Sequence, residues 1–459
     1  MSAETQHTFA NGVEVRVLRG ADEHRMAIRL DTNVGLGHEA AFKGGSAAAY
    51  LAALLNSRTE SYAPSEWVQT VVESGLTLTP FLERDSSGFM LAGGVHLLER
   101  ALWLVGDRTV SLEVKEADVR QIRPAIFRGA ESDKYHAVTA RGDEQDTLTH
   151  LIFGTEAGRS DFESRLRALR LSSNDFVKVV QKQHTKTRFY VTVVIPPSHI
   201  TKRSHLAETY FGSLVVEGPD TAVRKVENAP VQELTEPIRG RFENPRDSSS
   251  MVGYAWNLTS LQSSLGWSKA RLEATAEALV AFLSHSGGSF YERMHAPDTA
   301  IIEMAVDLNG TRDLAMQLIV TCQPKQFARA KIAIQAGLRE LIDGENTLGD
   351  VPNVAANRAH ELASRLRSNE SLASVAGALW TSARIDSSSN VTTWIRDYLR
   401  TLKQVDPSDV RSLLLAVIDS PARAEARFVP TRSLRSREVG LSEELMEVYA
   451  RIVTDSRCP

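Results

Sequence analysis

Metal-binding and nucleophilic side chains are scarce in this sequence, and their spacing favours no local site. The two cysteines, Cys322 and Cys458, exclude a disulfide framework and a Cys-based zinc or iron–sulfur site. The 12 histidines include no pair three or four residues apart, the spacing that places two imidazoles on one face of a helix. Those nearest to each other, His199 and His205, lie in a loop-like stretch. The nucleophile-elbow, dinucleotide-binding and P-loop motifs are absent too.

The composition is that of an ordinary globular protein. The chain has 459 residues, of which 42% are hydrophobic and 24% charged, and its formal net charge is −4. At about 100–200 residues per domain, this length predicts two to four domains. Because there is no basic excess, we expect no nucleic acid among its partners.

Nothing in the sequence predicts membrane insertion or export. The longest apolar runs, such as residues 47–55, are far too short to span a bilayer. The first residues, MSAETQH, show neither a basic segment followed by an apolar core nor an Arg-rich transit pattern. We therefore expect a soluble protein of a reducing, cytoplasmic compartment.

Hydrophobic periodicity predicts an α+β fold in each half of the chain. In the first half, alternating residues predict strands at 13–18 and 26–30. A paired set of strands is predicted at 76–82 and 88–93, and the sequence YVTVVI predicts another at 190–195. The predicted helices of that half cover 46–55, 65–72, 97–105, 117–127, 146–152 and 172–183. In the second half, strands are predicted at 252–256, 301–307, 314–321 and 424–429. Its helices are predicted at 270–283 and 326–342, and in four stretches between 353 and 417.

A change of composition separates the two halves. Residues 217–250 contain four prolines, many charges and few apolar clusters. Such a stretch cannot bury enough apolar surface to fold alone. We therefore predict two domains of similar architecture, at 1–218 and 250–459, joined by a linker at 219–249.

Segments along nearly the whole chain resemble the pitrilysin (M16) family of metallopeptidases, which includes the mitochondrial processing peptidase and the core subunits of respiratory complex III. The first three are 33–39 (NVGLGHE), 43–55 (KGGSAAAYLAALL) and 59–61 (TES). Others agree in order and spacing: 98–107, 150–158, 169–176, 190–195, 210–214, 286–294 and 405–410. The resemblance implies two M16-type α+β domains, each a mixed or antiparallel sheet packed by helices, forming a half-clamshell.

The resemblance also implies where a zinc site would lie, and the residue types there are wrong for zinc. Active members carry His-x-x-Glu-His on one helix, with the glutamate as general base. The two histidine positions fall on Ala49 and Ala53 and the base position on Ala52. A shift of one residue gives Ala48, Leu51 and Ala52 instead, which restores no ligand. The third ligand, a glutamate in the family, falls near Arg128, three residues before Glu131.

The second domain of active members contributes an Arg and a Tyr that bind the scissile carbonyl. The Arg position falls here on Met294 or His295, and the Tyr position on Ile301 or Ile302. Arg293 lies one residue away, so Arg293 and His295 are the candidates for substrate binding. The resemblance therefore implies a chain with no catalytic residues and no metal of its own.

The resulting hypothesis is a non-catalytic subunit of a heteromeric M16-type peptidase. Zinc would be bound only by a partner subunit with an intact His-x-x-Glu-His motif, and this chain would help to bind a peptide by strand addition. A scaffold subunit like the core proteins of complex III is the alternative. A third hypothesis is an enzyme of a different kind, whose active site would use the His38-Glu39 pair, His285 and His295.

Overall fold

The fold was analysed in a computed structural model of the chain. The residues that it describes are 5–9, 12–41, 43–110, 112–139, 142–154, 161–185, 187–212, 234–244, 250–309, 314–323, 325–344, 347–381 and 390–430. The strands within these ranges are β1 (Thr5–Thr8), β2 (Val13–Arg19), β3 (Arg25–Thr32), β4 (Thr77–Leu82), β5 (Ser87–Gly94), β6 (Phe189–Ile195), β7 (Ile238–Asn244), β8 (Ser250–Asn257), β9 (Ile301–Asn309), β10 (Ala315–Cys322) and β11 (Arg423–Pro430).

The helices divide between the two halves. Those of the first half are α1 (Ser46–Asn56), α2 (Glu66–Glu73), α3 (Leu98–Val110), α4 (Glu116–Thr139), α5 (Gly142–Phe153), α6 (Asp161–Leu169), α7 (Ser173–His184) and α8 (Arg203–Ala207). Those of the second half are α9 (Gln262–Leu265), α10 (Lys269–Ser284), α11 (Ser289–Met294), α12 (Phe327–Asp343), α13 (Val351–Arg365), α14 (Asn369–Thr381), α15 (Val391–Lys403) and α16 (Pro407–Asp419). The predicted α+β class is confirmed.

The N-terminal sheet has six strands in the order β1-β2-β6-β3-β5-β4. β6 runs parallel to β2 and antiparallel to β3, so the sheet is mixed. Its central position explains the nearly continuous apolar sequence FYVTVVI, because a strand covered on both faces alternates little. One face packs on α1–α3 through a core that includes Trp67, Phe89 and Phe211. The edge strand β1 was not anticipated from the sequence.

The C-terminal sheet has five strands in the order β7-β11-β8-β10-β9. β8 and β10 are buried along their whole length, and one face packs on α10, α12 and α16. The strand β7 corrects the predicted linker at 219–249, because residues 238–244 pair in parallel with β11. Its sequence IRGRFEN is charged as edge strands often are, which hides it from a search for apolar alternation. Residues 213–233 and 245–249 lie outside the described residues.

Each half also contributes one helix to the sheet of the other half. α5 packs on β8, β10 and β11 through Leu148, Ile152 and Phe153, next to Phe428. α14 packs on β3, β5 and β6, and buries Ala373, Ala376 and Leu379 against apolar residues of the N-terminal sheet. A boundary near residue 218 therefore separates the strands of the two sheets but not the helices that cover them.

Polar contacts hold the first turn of α14 in register on the N-terminal sheet. The Asn369 amide donates to the carbonyl oxygens of Asp22 (3.2 Å) and Arg25 (2.7 Å), and its Oδ1 accepts from the Asp22 N–H. Glu370 forms an ion pair with Arg25 at 2.5 Å. These contacts join two short segments that lie more than 340 positions apart in sequence.

Farther along, α14 passes over a buried ion pair. Arg29 Nη2 lies 2.8 Å from Asp31 Oδ1 and 3.2 Å from Glu83 Oε1, and its guanidinium stacks on the Phe81 ring at 3.7 Å. Burial raises the pKa of Asp31, and the charge of Arg29 offsets only part of that rise. α14 crosses this pair at Gly377, where a β-carbon would lie 2.4 Å from Asp31 Oδ2 and 2.7 Å from Arg29 Nε. The helix can approach so closely only with glycine at this position.

Gly377→Ala therefore tests whether the contact between α14 and the N-terminal sheet supports the whole fold. Alanine favours a helix over glycine by about 1 kcal/mol, so propensity alone predicts a more stable protein. We expect the opposite, a loss of about 1–3 kcal/mol in the free energy of unfolding, because the added methyl group overlaps buried, rigid side chains. Chemical denaturation measures the change. Val375→Ala, on the exposed side of the same helix, should shift stability by only about 0.5 kcal/mol. A variant Gly377→Ala as stable as the parent would contradict this account.

No helix within the described ranges combines the length and the apolar character needed to cross a bilayer.

Candidate functional site

Helix α1 carries the two positions expected for the zinc-binding histidines, Ala49 and Ala53, and the position expected for the general base, Ala52. All 11 residues of this helix are buried. Ala49 and Ala53 have no exposed surface, and Ala52 is 5% exposed. The same apolar cluster contains side chains of three other helices: Ile122 and Ile126 of α4, Ala168 and Leu169 of α6, and Phe176 and Val180 of α7. The helix therefore lies within a hydrophobic core, and methyl groups occupy the positions where a metal site would need ligands.

The expected third ligand position lies on α4, at Arg128, whose side chain is exposed. Ile122 and Ile126 of the same helix instead belong to the cluster around α1. A step of two residues turns a side chain by about 200°, so Ile126 and Arg128 point to different sides of α4. Glu131 also lies within α4, but its side chain is outside the described residues.

The N-terminus of α1 is held by the buried carboxylate of Glu39, which is also a candidate catalytic residue of the third hypothesis. Glu39 is 1% exposed. Its two oxygens accept hydrogen bonds from the N–H groups of Gly45 and Ala47, both at 3.1 Å, and from the Ser164 hydroxyl. An anion at this end of a helix is stabilised by the free N–H groups and by the helix dipole. Glu39 therefore positions α1.

The neighbouring residues fix the turn into α1. His38 is buried, and its Nδ1 accepts from the Gly35 N–H at 3.0 Å. Gly45 has a φ of 88°, and a β-carbon there would lie 2.3 Å from the Ala168 nitrogen of α6. Glycine is needed for both reasons, the positive φ and the close approach. The sequence NVGLGHE…KGG thus forms a packed turn rather than an open ligand loop.

The second-domain candidates lie at the end of α11, in the other half of the molecule. The Arg293 side chain is 47% exposed, and its nitrogens lie 3.7 Å from Asp298 Oδ2 and 3.9 Å from Glu340 Oε2. The His295 ring stacks on Tyr291 with centroids 4.1 Å apart, and its Nδ1 donates to the Tyr291 carbonyl oxygen at 2.8 Å. Both side chains therefore have local partners in this structure.

The other positions considered near α11 differ in exposure. Met294 is fully buried, Ile301 is 9% exposed, and Ile302 is 53% exposed. His285, at the end of α10, is exposed. Within the ranges given above, no three or more His, Cys, Asp and Glu side chains form a group that could hold a metal ion.

The free edge of β4 is the feature with the clearest capacity to bind a peptide. β4 pairs with β5 on one side, and no strand among the described residues pairs with its other edge. The Glu83 N–H donates to the Ser86 carbonyl in the turn between them. Because hydrogen-bonded and non-bonded pairs alternate in an antiparallel ladder, the backbone groups of Leu78, Pro80 and Leu82 point to the free edge. Pro80 has no N–H, so one donor is missing from the middle of this edge.

A cavity of about 740 Å³ lies between the halves, beside Thr79 of β4. Thr79 and Met90 line it from the N-terminal sheet. The C-terminal half lines it mainly with apolar and acidic side chains: Glu273, Glu277, Leu362, Val375, Trp394 and Tyr398. Trp394 and Tyr398 stack with ring centroids 5.2 Å apart. Spacing in the sequence did not indicate this cavity, because its walls come from both halves.

Solved structures that share this fold include peptidases and a peptidase-like domain. A protease from Helicobacter pylori aligns over 94% of this chain and 100% of its own, with a TM-score of 0.78 and 15% identity. The inactive peptidase M16 domain from Pseudomonas fluorescens aligns over 94% and 99%, with a TM-score of 0.71 and 14% identity. The ferredoxin protease FusC, a mutant in complex with Arabidopsis ferredoxin, aligns over 97% of this chain and 50% of its own, with a TM-score of 0.66 and 15% identity.

These likenesses confirm the predicted M16-type fold. They do so across almost the entire chain, although at 14–15% identity they establish the fold alone. No family model and no curated protein matches the sequence.

Ala53→His tests whether the α1 positions belong to the core. A histidine at a fully buried alanine adds volume and polar atoms, so we expect the free energy of unfolding to fall by about 1–3 kcal/mol. Thermal or chemical denaturation measures this loss. Ala356→His, at an exposed position of α13, is the matched control and should change stability by about 0.5 kcal/mol or less. If Ala53→His were as stable as Ala356→His, the positions on α1 would be open to a cavity rather than packed.

Proposed function

We propose that this chain is a non-catalytic, peptide-binding subunit of a heteromeric M16-type zinc peptidase. The observation that carries the proposal is the burial of Ala49, Ala52 and Ala53 in an apolar cluster. Alanine can neither coordinate a metal nor accept a proton at neutral pH. Cleavage would therefore depend on a partner subunit that holds the zinc ion. The inactive M16 domain of Pseudomonas fluorescens supports the proposal, because it is a protein of the same fold that is described as inactive.

The free edge of β4 supports the peptide-binding part of the proposal. An extended peptide can add to a sheet edge through backbone hydrogen bonds, while side-chain pockets supply selectivity. The Leu78 and Leu82 N–H groups and the carbonyl groups of Leu78, Pro80 and Leu82 are available for this pairing. The adjacent cavity could receive side chains of the peptide, and its mainly apolar and aromatic lining would favour apolar ones. The FusC complex with ferredoxin supports a polypeptide as the ligand class for this fold.

A scaffold role, like that of the core proteins of complex III, is the alternative function. The buried alanines favour it as much as they favour the first proposal. The free β4 edge and its cavity favour a peptide-binding role instead. The contacts of Glu39 and His38 argue against an enzyme that reuses these two residues, because both hold the turn before α1. A cytoplasmic location is also part of the proposal, and cell fractionation tests it.

Reconstitution with a zinc-binding partner tests the proposed function. The candidate partner is a protein of similar length with an intact His-x-x-Glu-His motif, encoded beside this chain. We expect the purified chain to contain no stoichiometric zinc and to leave a quenched fluorescent peptide uncut. Mixing it with the partner should produce cleavage well above that of the partner alone. Elemental analysis and the rate of fluorescence release measure these results.

Three outcomes would count against the proposal, two from the reconstitution and one from purification of the tagged chain. Stoichiometric zinc in the chain alone, or peptide cleavage by it alone, would show that it holds a site of its own. Recovery of membrane redox proteins instead of a zinc peptidase, when the tagged chain is purified from its cells, would favour the scaffold alternative.

Pro80→Val tests the β4 edge separately. The substitution supplies the missing backbone donor, so we expect an unstructured peptide to bind about 2–10-fold more tightly, the effect of one added hydrogen bond. Fluorescence anisotropy with labelled, oxidised insulin B chain measures the affinity. Thr77→Val is the matched control, because it introduces the same side chain outside the cavity, where the backbone N–H already points to β5. Equal affinity for the parent and both variants would exclude strand addition at β4.

A further inference from the structure

A second cavity, of about 320 Å³, lies in the C-terminal half between the sheet and helices α12 and α16. We call it the β8 cavity, because Tyr254 and Trp256 of β8 line it. Four cationic side chains also line it, against two acidic ones: Arg239, Lys331, Arg339 and Arg423, with Asp419 and Glu425. No part of the proposed zinc or strand-addition chemistry uses these residues.

Two buried donors of the β8 cavity lack partners. Tyr254 is 5% exposed and Trp256 is 3% exposed. Neither the Tyr254 hydroxyl nor the Trp256 indole N–H has a hydrogen-bond partner among the residues that the structure describes. A buried polar group without a hydrogen bond costs about 1–3 kcal/mol, so a pair of them side by side calls for an explanation. Their rings stack with centroids 5.6 Å apart, which places the two groups in one region.

The strand register explains how the charged groups come to lie beside these donors. Tyr254 is directly opposite Glu425 of β11, and Trp256 is opposite Arg423. Glu425 is in turn opposite Arg239 of β7. Burial, and secondarily the charge of Glu425, raises the pKa of Tyr254, so the hydroxyl stays protonated at neutral pH and can donate.

The charges favour an anion of low charge. Glu425 is paired with Lys331 at 2.5 Å and lies 3.8 Å from Arg239, which neutralises part of the positive set. Arg423 donates through Nη1 to the Ile418 carbonyl oxygen, near the C-terminal end of α16. That helix end adds partial negative charge. The remaining positive charge suits a monoanion better than a phosphate dianion.

We propose that the β8 cavity binds a carboxylate, whose oxygens accept hydrogen bonds from the Tyr254 hydroxyl and the Trp256 indole N–H while Arg339 and Arg423 balance its charge. Arginine pairs well with the planar, two-oxygen carboxylate group. The carboxylate could come from a small organic acid or from the carboxyl terminus of a peptide. This site lies within one chain, so it does not rest on the proposed function and requires no partner subunit.

Nuclear magnetic resonance of the full-length chain tests the site directly. The chain has six tryptophans, so the Trp256 indole signal can be assigned by comparison with Trp256→Phe. The probes are propionate, the peptide Ala-Ala-Ala, its C-terminal amide and inorganic phosphate, all at constant ionic strength. We expect a saturable shift of the Trp256 indole signal with at least one of the two carboxylates. Binding of propionate but not of the peptide identifies a small acid as the ligand, and tighter binding of Ala-Ala-Ala identifies a peptide terminus.

Variants distinguish the proposed site from a general effect of added salt. Tyr254→Phe keeps the ring and removes one donor, so the carboxylate should bind about tenfold more weakly. Tyr210→Phe, outside the cavity, should bind as the parent does, and thermal unfolding checks that both variants are folded. Four results would overturn the proposal: no saturable shift with either carboxylate, a response to phosphate alone, binding of the peptide that its C-terminal amide matches, or unchanged affinity in Tyr254→Phe.

Discussion

The exchange of one helix between the halves is the contact on which the rest of this structure depends. A sheet with apolar side chains on both faces needs cover on both, and each half supplies only one layer for its own sheet. α14 completes the cover of the N-terminal sheet and α5 that of the C-terminal sheet. The 740 Å³ cavity and the close approach of α14 to the Arg29–Asp31 pair both result from this exchange. The halves therefore form a single cooperative unit, although their sheets are separate.

Helix α1 shows how close packing excludes metal chemistry from the positions where ligands were expected. A zinc site there would need two imidazoles and a carboxylate that face a metal ion and water. Here that helix is buried on every side, and its alanines allow α4, α6 and α7 to pack closely around it. The buried Glu39 carboxylate anchors the N-terminus of this helix.

The sequence allowed most of the elements to be predicted, because their signals are local. The apolar runs of β6 and β10 depend only on neighbouring residues. β7 was missed because its charged sequence acquires a strand conformation only by pairing with β11, nearly 200 residues farther along. The roles of Glu39 and Gly377 were also inaccessible, since each is defined by a residue that is distant in sequence. The β8 cavity requires three strands in register, which periodicity within one strand cannot reveal.

The helix exchange has a consequence for synthesis on the ribosome. The last strand of the N-terminal sheet ends at Ile195, but the helix that covers its second face ends only at Thr381. At about 5–20 residues per second, the nascent chain exposes this apolar face for roughly 10–40 s before α14 emerges. During that interval the sheet is open to association with other chains or to binding by a chaperone. The growing protein can therefore be expected to depend on the speed of its own translation more than a protein whose halves fold independently.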